Sequence, residues 1–502
     1  MKLFAHQQEA LDIGKKSNVA LFHDCGTGKT ATTLNLIKAA FERGEGPALV
    51  VCPKNLIEDA WMSDAKDFFP TADIIAVHGD PEKRKKTLYQ DHDIYVTTPE
   101  TYKNMYNDIQ DKKFGVLVVD ESSNMKAHDS QITRALLALA GFKTRAKGGI
   151  TFQPKHVIPN RYPLTATAAP NTPLEYWAQI KLVTGPGNEV FNDNFFVFRS
   201  KFFYSIDLGR TGIKIWKFRK TMFAEFCYCL SKVAHVCRKD ILNLPGQVHH
   251  IHDIQLSQKE QAAYDSFKRD LVLELGKESV IAASALTEVM KLRQLTSGFI
   301  YGDNTHQIGL TKYMYQKELL SQNNTDQHII WINFKQEAEL LKGLSNSVVL
   351  DGESKNNDDI IKSFKNGNVQ YLIANMQSAS HGLTFVNSHR ASYYSQNYSY
   401  ELMKQSSDRQ DRIGQKHLCH YNHLIAKGTI DPVVRSACVR KEIMNNTFLD
   451  CLVQIQNGQT PDFTNCDNVF TQSYGDILKK FAQNHLFSKE EDHVTDDILQ
   501  TV

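Results

Sequence analysis

Three short stretches carry residue types that could do phosphate chemistry. The first is HDCGTGKT, residues 23–30. Gly26 and Gly28, with Thr27 between them, let backbone N–H groups close on a polyphosphate, because larger side chains would block the approach. Lys29 would reach the β- and γ-phosphates, and the Thr30 hydroxyl would hold Mg²⁺. The strict eight-residue pattern has glycine where this chain has His23. The second stretch is VLVVDE, residues 116–121, a carboxylate pair at the tip of an apolar run. Charge at the end of a buried strand is costly unless something binds it, and a divalent metal does so. Asp120 would hold the Mg²⁺ through water, and Glu121 would orient and deprotonate the attacking water. Together the two stretches predict ATP as substrate and its hydrolysis as the reaction.

The third stretch is KQSSDRQDRIGQ, residues 404–415, where Gln405, Arg409 and Arg412 fall at i, i+4 and i+7. That spacing predicts one face of a helix. A solvated, salt-bridged face is the ordinary reading of such charge. The alternative is an arginine donated from a second domain to the γ-phosphate, a common way of stabilising the developing charge. Arg409 and Arg412 are the candidates, with Gln405 helping to sense the phosphate.

Elements must position these groups. In the first ~180 residues the short apolar runs ALF (20–22), ALVVCP (48–53), IIAVHG (74–79), IYVTTP (94–99) and VLVVDE alternate with helical patterns. Continuous apolar strands separated by helices imply a parallel sheet covered on both faces, with ligands at the carboxyl ends of the strands. A second series, HIIWINF (328–334), SVVLDG (347–352), YLIANM (371–376), ASYYSQ (391–396) and HYNHLIA (420–426), repeats the texture. The predicted fold is α/β: two doubly wound, RecA-like parallel-sheet lobes, residues 1–183 and 301–445. Between them, residues 184–300 form an aromatic, basic, mainly helical insertion. FFYSI and IKIWKF flank the turn DLGRTG there, which predicts a β-hairpin. Residues 446–502 read as a polar tail that ends acidic.

The chain has 502 residues, about three units at ~150 residues per domain. Lys plus Arg is 58 against 56 Asp plus Glu, a net charge of +2, which excludes a purely basic nucleic-acid binder but not local basic grooves. No run reaches the ~18 apolar residues of a membrane span, and MKLFAHQQEALDIG lacks a secretory h-region, so a soluble, cytoplasmic protein without membrane contact is expected. Nine scattered cysteines predict no disulfide framework.

The order of motifs over residues 1–440 resembles superfamily 2 helicases, and within them the SWI/SNF-type double-stranded DNA translocases. LFAHQQEAL resembles the opening motif, ALVVCPKNLIEDAW with Trp61 motif Ia, and YPLTATAAPNTPLEYW motif III. SASHGLTF is similar to motif V, and QSSDRQDRIGQ to motif VI. HVCRKDILNLPGQ and LRQLTSGF resemble stretches characteristic of the SWI/SNF group. By that resemblance Gln7 reads adenine and Gly382 joins the nucleotide site, with ATP and Mg²⁺ as cofactors. It also implies DNA contacts at Pro53, Lys54, Gly79 and Thr98 in the first lobe, and at Phe334, Lys335, Gly352, Ser378 and Thr384 in the second. Motif II reads DESS where DEAH or DEAQ is usual, and residues 141–161 are longer and more basic than usual.

Trp216, interleaved with Lys214, Lys217, Arg219 and Lys220, could wedge a duplex junction or stack on a freed base; packing on the first lobe is its ordinary reading. The expected partner is DNA, as duplex, fork or four-way junction, with a replication or recombination protein alongside and the chain itself a monomer. The expected activity is fork unwinding and branch migration by a compact motor similar to bacteriophage helicases. The alternatives are remodelling of protein–DNA complexes without strand separation, and a nucleotide-gated DNA-binding subunit of a larger complex.

Overall fold

The computed structural model describes residues 3–207, 214–275, 282–302, 304–322, 325–352, 357–379 and 383–461. Two large sheets organise it, and every pairing described within them is parallel. The first has seven strands in the order Ala234–Cys237, Ala20–His23, Asn160–Thr165, Val116–Asp120, Ala48–Val51, Ile94–Thr97, Ile74–Ala76. The second has six, in the order Gln247–Ile254, Cys419–Ala426, Arg390–Tyr393, His328–Ile332, Tyr371–Asn375, Ser347–Leu350. The apolar runs are the strands because both faces are covered: Ala20–His23, Ala48–Val51 and Ile94–Thr97 are buried at every residue. Leu34, Ile37, Val50, Trp61 and Val118 share one core cluster of the first sheet, and Ile329, Trp331, Leu372 and Tyr393 one of the second. This is the predicted pair of RecA-like lobes. Parallel strands all finish on one edge, so each sheet gathers its strand-end loops along a single rim.

The chain forms two contact-dense units. Among the described residues, one contains those within 3–204, 218–242 and 443–461, the other those within 205–217 and 243–442. Residues 184–300, read from sequence as one insertion, are thus divided. Ala234–Cys237 pairs with Ala20–His23 at an edge of the first sheet, and Gln247–Ile254 pairs with Cys419–Ala426 at an edge of the second. The physical reason is that an isolated strand has unpaired backbone groups, which an open sheet edge satisfies. The supposed boundary at 445/446 lies inside one helix, Asp431–Gln456.

The expected hairpin forms, with Phe203–Asp207 pairing Lys214–Phe218; its turn, residues 208–213, lies outside the described residues. Its base joins an aromatic core in which Phe191, Phe198, Phe202, Phe218, Phe223 and Phe226 meet Phe448 of the long helix, the rings stacked edge-on or tilted. The long basic segment 141–161 carries a small antiparallel pair, Thr144–Arg145 with Thr151–Phe152. The eight described cysteines are free thiols.

Candidate nucleotide site and strand-end loops

The loop after Ala20–His23 turns through two left-handed glycines, Gly26 (φ 83°) and Gly28 (φ 80°), which other residues adopt at a cost. A side chain on Gly28 would also collide with the Gln7 amide. Helix Lys29–Glu42 starts at once, so its free N–H groups and positive dipole end face the loop. Lys29 Nζ donates to the carbonyls of His23 (2.9 Å) and Asp24 (3.4 Å), which holds the ammonium at the loop. Gln7 Nε2 donates to the Thr27 carbonyl (3.2 Å) and its Oε1 accepts from the Phe4 N–H (2.9 Å); His6 Nε2 lies 2.8 Å from the same Thr27 carbonyl. Gln7 is therefore built into the wall of the loop. Asp24 ties the loop to the neighbouring strand: its N–H donates to the Cys237 carbonyl, and its carboxylate accepts from the Lys239 N–H (3.0 Å) and lies 3.8 Å from Arg238.

Asp120 ends the strand Val116–Asp120 on the same rim. Its Oδ2 accepts from the Trp61 indole N–H at 3.0 Å, and its Oδ1 from the Glu121 N–H at 2.9 Å. Burial pushes the Asp120 carboxyl above the usual carboxylate range, opposed by the charge of Lys29 and by the Trp61 hydrogen bond. Glu121 has left-handed backbone (φ 49°, ψ 52°), a strained conformation for a non-glycine residue. Ser122 Oγ donates to Gln179 Oε1 (2.8 Å), and Gln179 Nε2 donates to the Ala168 carbonyl (2.6 Å), so one glutamine ties DESS to the TATAAP segment. No group of three or more His, Cys, Asp or Glu side chains converges as a metal cage among the described residues. The hard oxygens available here are the Asp120 carboxylate and the Thr30 hydroxyl, a donor set suited to Mg²⁺ that takes its other ligands from phosphate and water.

The strand-end loops bring several sequence candidates together. Pro53 and Lys54 follow Ala48–Val51, Gly79 follows Ile74–Ala76, and Thr98 follows Ile94–Thr97 and caps helix Pro99–Asn104, all on the rim that carries the phosphate loop. In the second unit Lys335 follows His328–Ile332 and is exposed, while Gly352 follows Ser347–Leu350 beside Ser378. Thr384 is half-exposed on the next loop. Phe334 differs from expectation: its ring is buried, edge-on to Phe299 and under the Arg293 guanidinium, because the helix cap that it forms is packed into the core. Gly382 lies outside the described residues. Trp216 is half-exposed on the hairpin.

The predicted common helical face of Gln405, Arg409 and Arg412 does not form. Helix Tyr400–Ser407 stops before either arginine. The hydroxyls of Ser406 and Ser407 donate to the carbonyls of Met403 and Lys404, which is how serine competes with a helix's own ladder, and Gly414 (φ 100°) completes the turn out. The arginines converge by another route: Arg409 and Arg412 each donate to the Leu383 carbonyl at 3.1 Å, and Arg409 Nε also donates to the Gln405 carbonyl. Gln405 is buried and its Oε1 has no hydrogen-bond partner among the described residues.

Sequence reasoning did not single out Gln179, His235 or Arg238, and it gave Trp61 no partner. The Trp61–Asp120 and Ser122–Gln179 contacts join residues 59 and 57 positions apart, so no local spacing announces them.

Residues 6–298, more than half the chain, match the SNF2-related domain, and residues 311–414 match the helicase conserved C-terminal domain. The chain is 25% identical to protein p41 of Acyrthosiphon pisum secondary endosymbiont phage 1, over 88% of this chain and 96% of p41. It is 22% identical to an ATP-dependent helicase of Mycoplasma genitalium, over 86% of this chain but 40% of that protein. Among solved structures it is similar to the Sulfolobus solfataricus SWI2/SNF2 ATPase core in complex with dsDNA (19% identity, 91% of this chain and 96% of that one, TM-score 0.41). The chain belongs to the SNF2-related family of superfamily 2 and is an ATP-dependent helicase/translocase core of that family.

Proposed function

We propose that this protein is an ATP-driven motor that moves on duplex and branched DNA, unwinding forks and migrating four-way junctions. The observation that carries it is the shared rim of the first sheet: the phosphate loop and Asp120–Glu121 stand on the same strand ends as the Pro53, Lys54, Gly79 and Thr98 loops. Movement of the nucleotide-bound loop and movement of those loops are then one event. Lys29 binds the β- and γ-phosphates, Glu121 orients and deprotonates water, and Arg409 and Arg412 supply positive charge to the γ-phosphate. Thr30 and Asp120 hold Mg²⁺, which when bound neutralises phosphate charge. DNA is gripped through its phosphates, without sequence preference and with strong salt dependence. Lys335, Gly352, Ser378 and Thr384 supply the second set of phosphate contacts.

The hairpin is the part assigned to the branch. It carries the half-exposed Trp216 and exposed Tyr204, Lys214, Arg219 and Lys220, the mixture that stacks on bases and holds phosphates. The protein is proposed to act as a monomer, and in the cytoplasm of a host cell, the second reading supported by its similarity along most of its length to a phage protein.

The test is ATPase activity measured with linear duplex, single-stranded, forked and four-way DNA and with RNA, for the native chain, for Lys29→Ala and for a deletion of residues 206–213. Forked and four-way DNA should stimulate best. Lys29→Ala should abolish turnover, and the deletion should abolish strand separation while sparing duplex-stimulated hydrolysis. Equal stimulation by linear duplex and branched DNA would favour a remodelling translocase instead, and retained turnover in Lys29→Ala would overturn the nucleotide site.

A further inference from the structure

His23 stands where the phosphate-loop pattern has glycine, and its ring is fully buried at the end of the strand that leads into the loop. Its Nε2 lies 2.8 Å from Nδ1 of His235, which is also buried, on the adjacent strand Ala234–Cys237. On the far side of His235, its Nε2 faces the Glu9 carboxylate of helix Ala5–Gly14 at 3.8 Å. Electrostatics selects the tautomers. A proton on His235 Nε2 is attracted by Glu9, which leaves His235 Nδ1 as acceptor and His23 Nε2 as donor. The order is then Glu9 carboxylate, His235, His23, with no net charge on either ring.

Two imidazoles are a costly way to fill a core, since an aliphatic pair would leave nothing to desolvate. Neither His23 Nδ1 nor His235 Nε2 has a hydrogen-bond partner among the described residues, so Glu9 acts on His235 through its charge rather than through a hydrogen bond. What the pair does is local to the loop. His23 is the last residue of its strand, and its carbonyl is one of the two that hold Lys29 Nζ. Its neighbour Asp24 is bonded to Cys237, the last residue of the same adjacent strand, and to Lys239 in the turn that follows it. The ring bond therefore fixes, from the sheet side, the point at which the loop departs.

We propose that the buried His23–His235 pair, oriented by Glu9, is a positioning element of the nucleotide site that sets the affinity for ATP and leaves the chemical step to Lys29 and Glu121. This deepens the nucleotide assignment proposed above and rests on it. The charged and titratable groups around the pair are His6 and Glu9 from helix Ala5–Gly14, Lys29 from the helix after the loop, and Asp24 and Cys237 at the strand ends. Burial, together with the facing histidine and Lys29, holds His23 well below the usual histidine range, and burial lowers His235 too, so both rings are neutral at neutral pH. A further proton on His235 Nδ1 would convert the shared bond into a clash of two donors.

The experiment is steady-state MgATP kinetics on the full chain with saturating duplex DNA, from about pH 8 down to about pH 5.5. His235→Phe keeps the volume and removes the acceptor. It should raise KM for ATP about tenfold at pH 8 with kcat changed less than about twofold. His235→Gln, whose carbonyl can accept from His23, should recover most of that loss. The native KM should stay level through neutral pH and climb only toward the acid end, because burial holds both rings below the usual histidine range, while His235→Phe stays flat at its raised value. Glu9→Gln, a partly exposed helix position that the fold tolerates, should move the climb to lower pH, because Glu9 favours the protonated form of His235. A KM for His235→Phe within about twofold of native at pH 8, with the native pH profile, overturns the inference. If His235→Phe fails to fold, a Glu9→Gln profile superimposed on native overturns it equally. Lys29→Ala separates the levels: lost turnover there with unmoved histidine variants sinks only the positioning role, whereas retained turnover sinks the nucleotide site itself.

Discussion

Replacing Trp61 by Phe tests how the acidic strand end is held. Trp61 is fully buried on a π-helical turn, Ile57–Met62, and its indole N–H is one of two donors on the Asp120 carboxylate. A hydrogen bond to a charged acceptor contributes about 1.5–3 kcal/mol when its loss leaves the acceptor buried. Shrinking the ring inside a packed core adds roughly 1 kcal/mol. The variant should lose about 2.5–4 kcal/mol at pH 8 in EDTA, where no divalent ion can take the place of the indole.

The pH dependence distinguishes the two parts. Burial raises the folded-state pKa of Asp120 above its ordinary 3.8, so the native state takes up this proton more readily than the unfolded chain. The carboxyl's burial therefore costs stability above the raised pKa, and that cost fades as pH falls toward 3.8. Removing the indole raises the pKa further and enlarges the cost at neutral pH. Urea unfolding of native and variant, followed by far-UV circular dichroism, should show the difference shrinking on acidification toward the ~1 kcal/mol of lost packing. A difference under about 0.5 kcal/mol at pH 8, or one that grows with acid, would refute the role given to the hydrogen bond.

Two further variants test the packing. Asp431→Asn leaves the buried Lys312 ammonium without its carboxylate, now 2.5 Å away, and removes charge from an acceptor of Thr296 and the Ala426 N–H. It should cost about 3–5 kcal/mol by urea midpoint, and Lys312→Met in the same chain should recover much of it. Phe448→Ala empties the centre of the aromatic core shared with Tyr176, Phe218, Phe223 and Phe226. It should cost about 3–5 kcal/mol, measured in the same way.

The sequence by itself determined what depends on a few consecutive residues. HDCGTGKT makes a tight loop running into a helix because two glycines can turn left-handed and a helix can start at Lys29, both local properties. The apolar runs are strands because buried parallel strands need apolar side chains on both faces. The lysine, the carboxylate pair and the two-lobe architecture were therefore legible without coordinates. The arginine stretch shows where that legibility ends: spacing suggested a helical face, but the helix ends at Ser407, and both guanidinium groups meet at Leu383 instead. Only tertiary structure decided which sheet receives Ala234–Cys237 and which receives Gln247–Ile254, that Trp61 braces Asp120, and that His23 meets His235 across 212 residues. Such contacts are selected by which sheet edge is open and which faces pack together, and neither is encoded in the spacing of neighbouring residues.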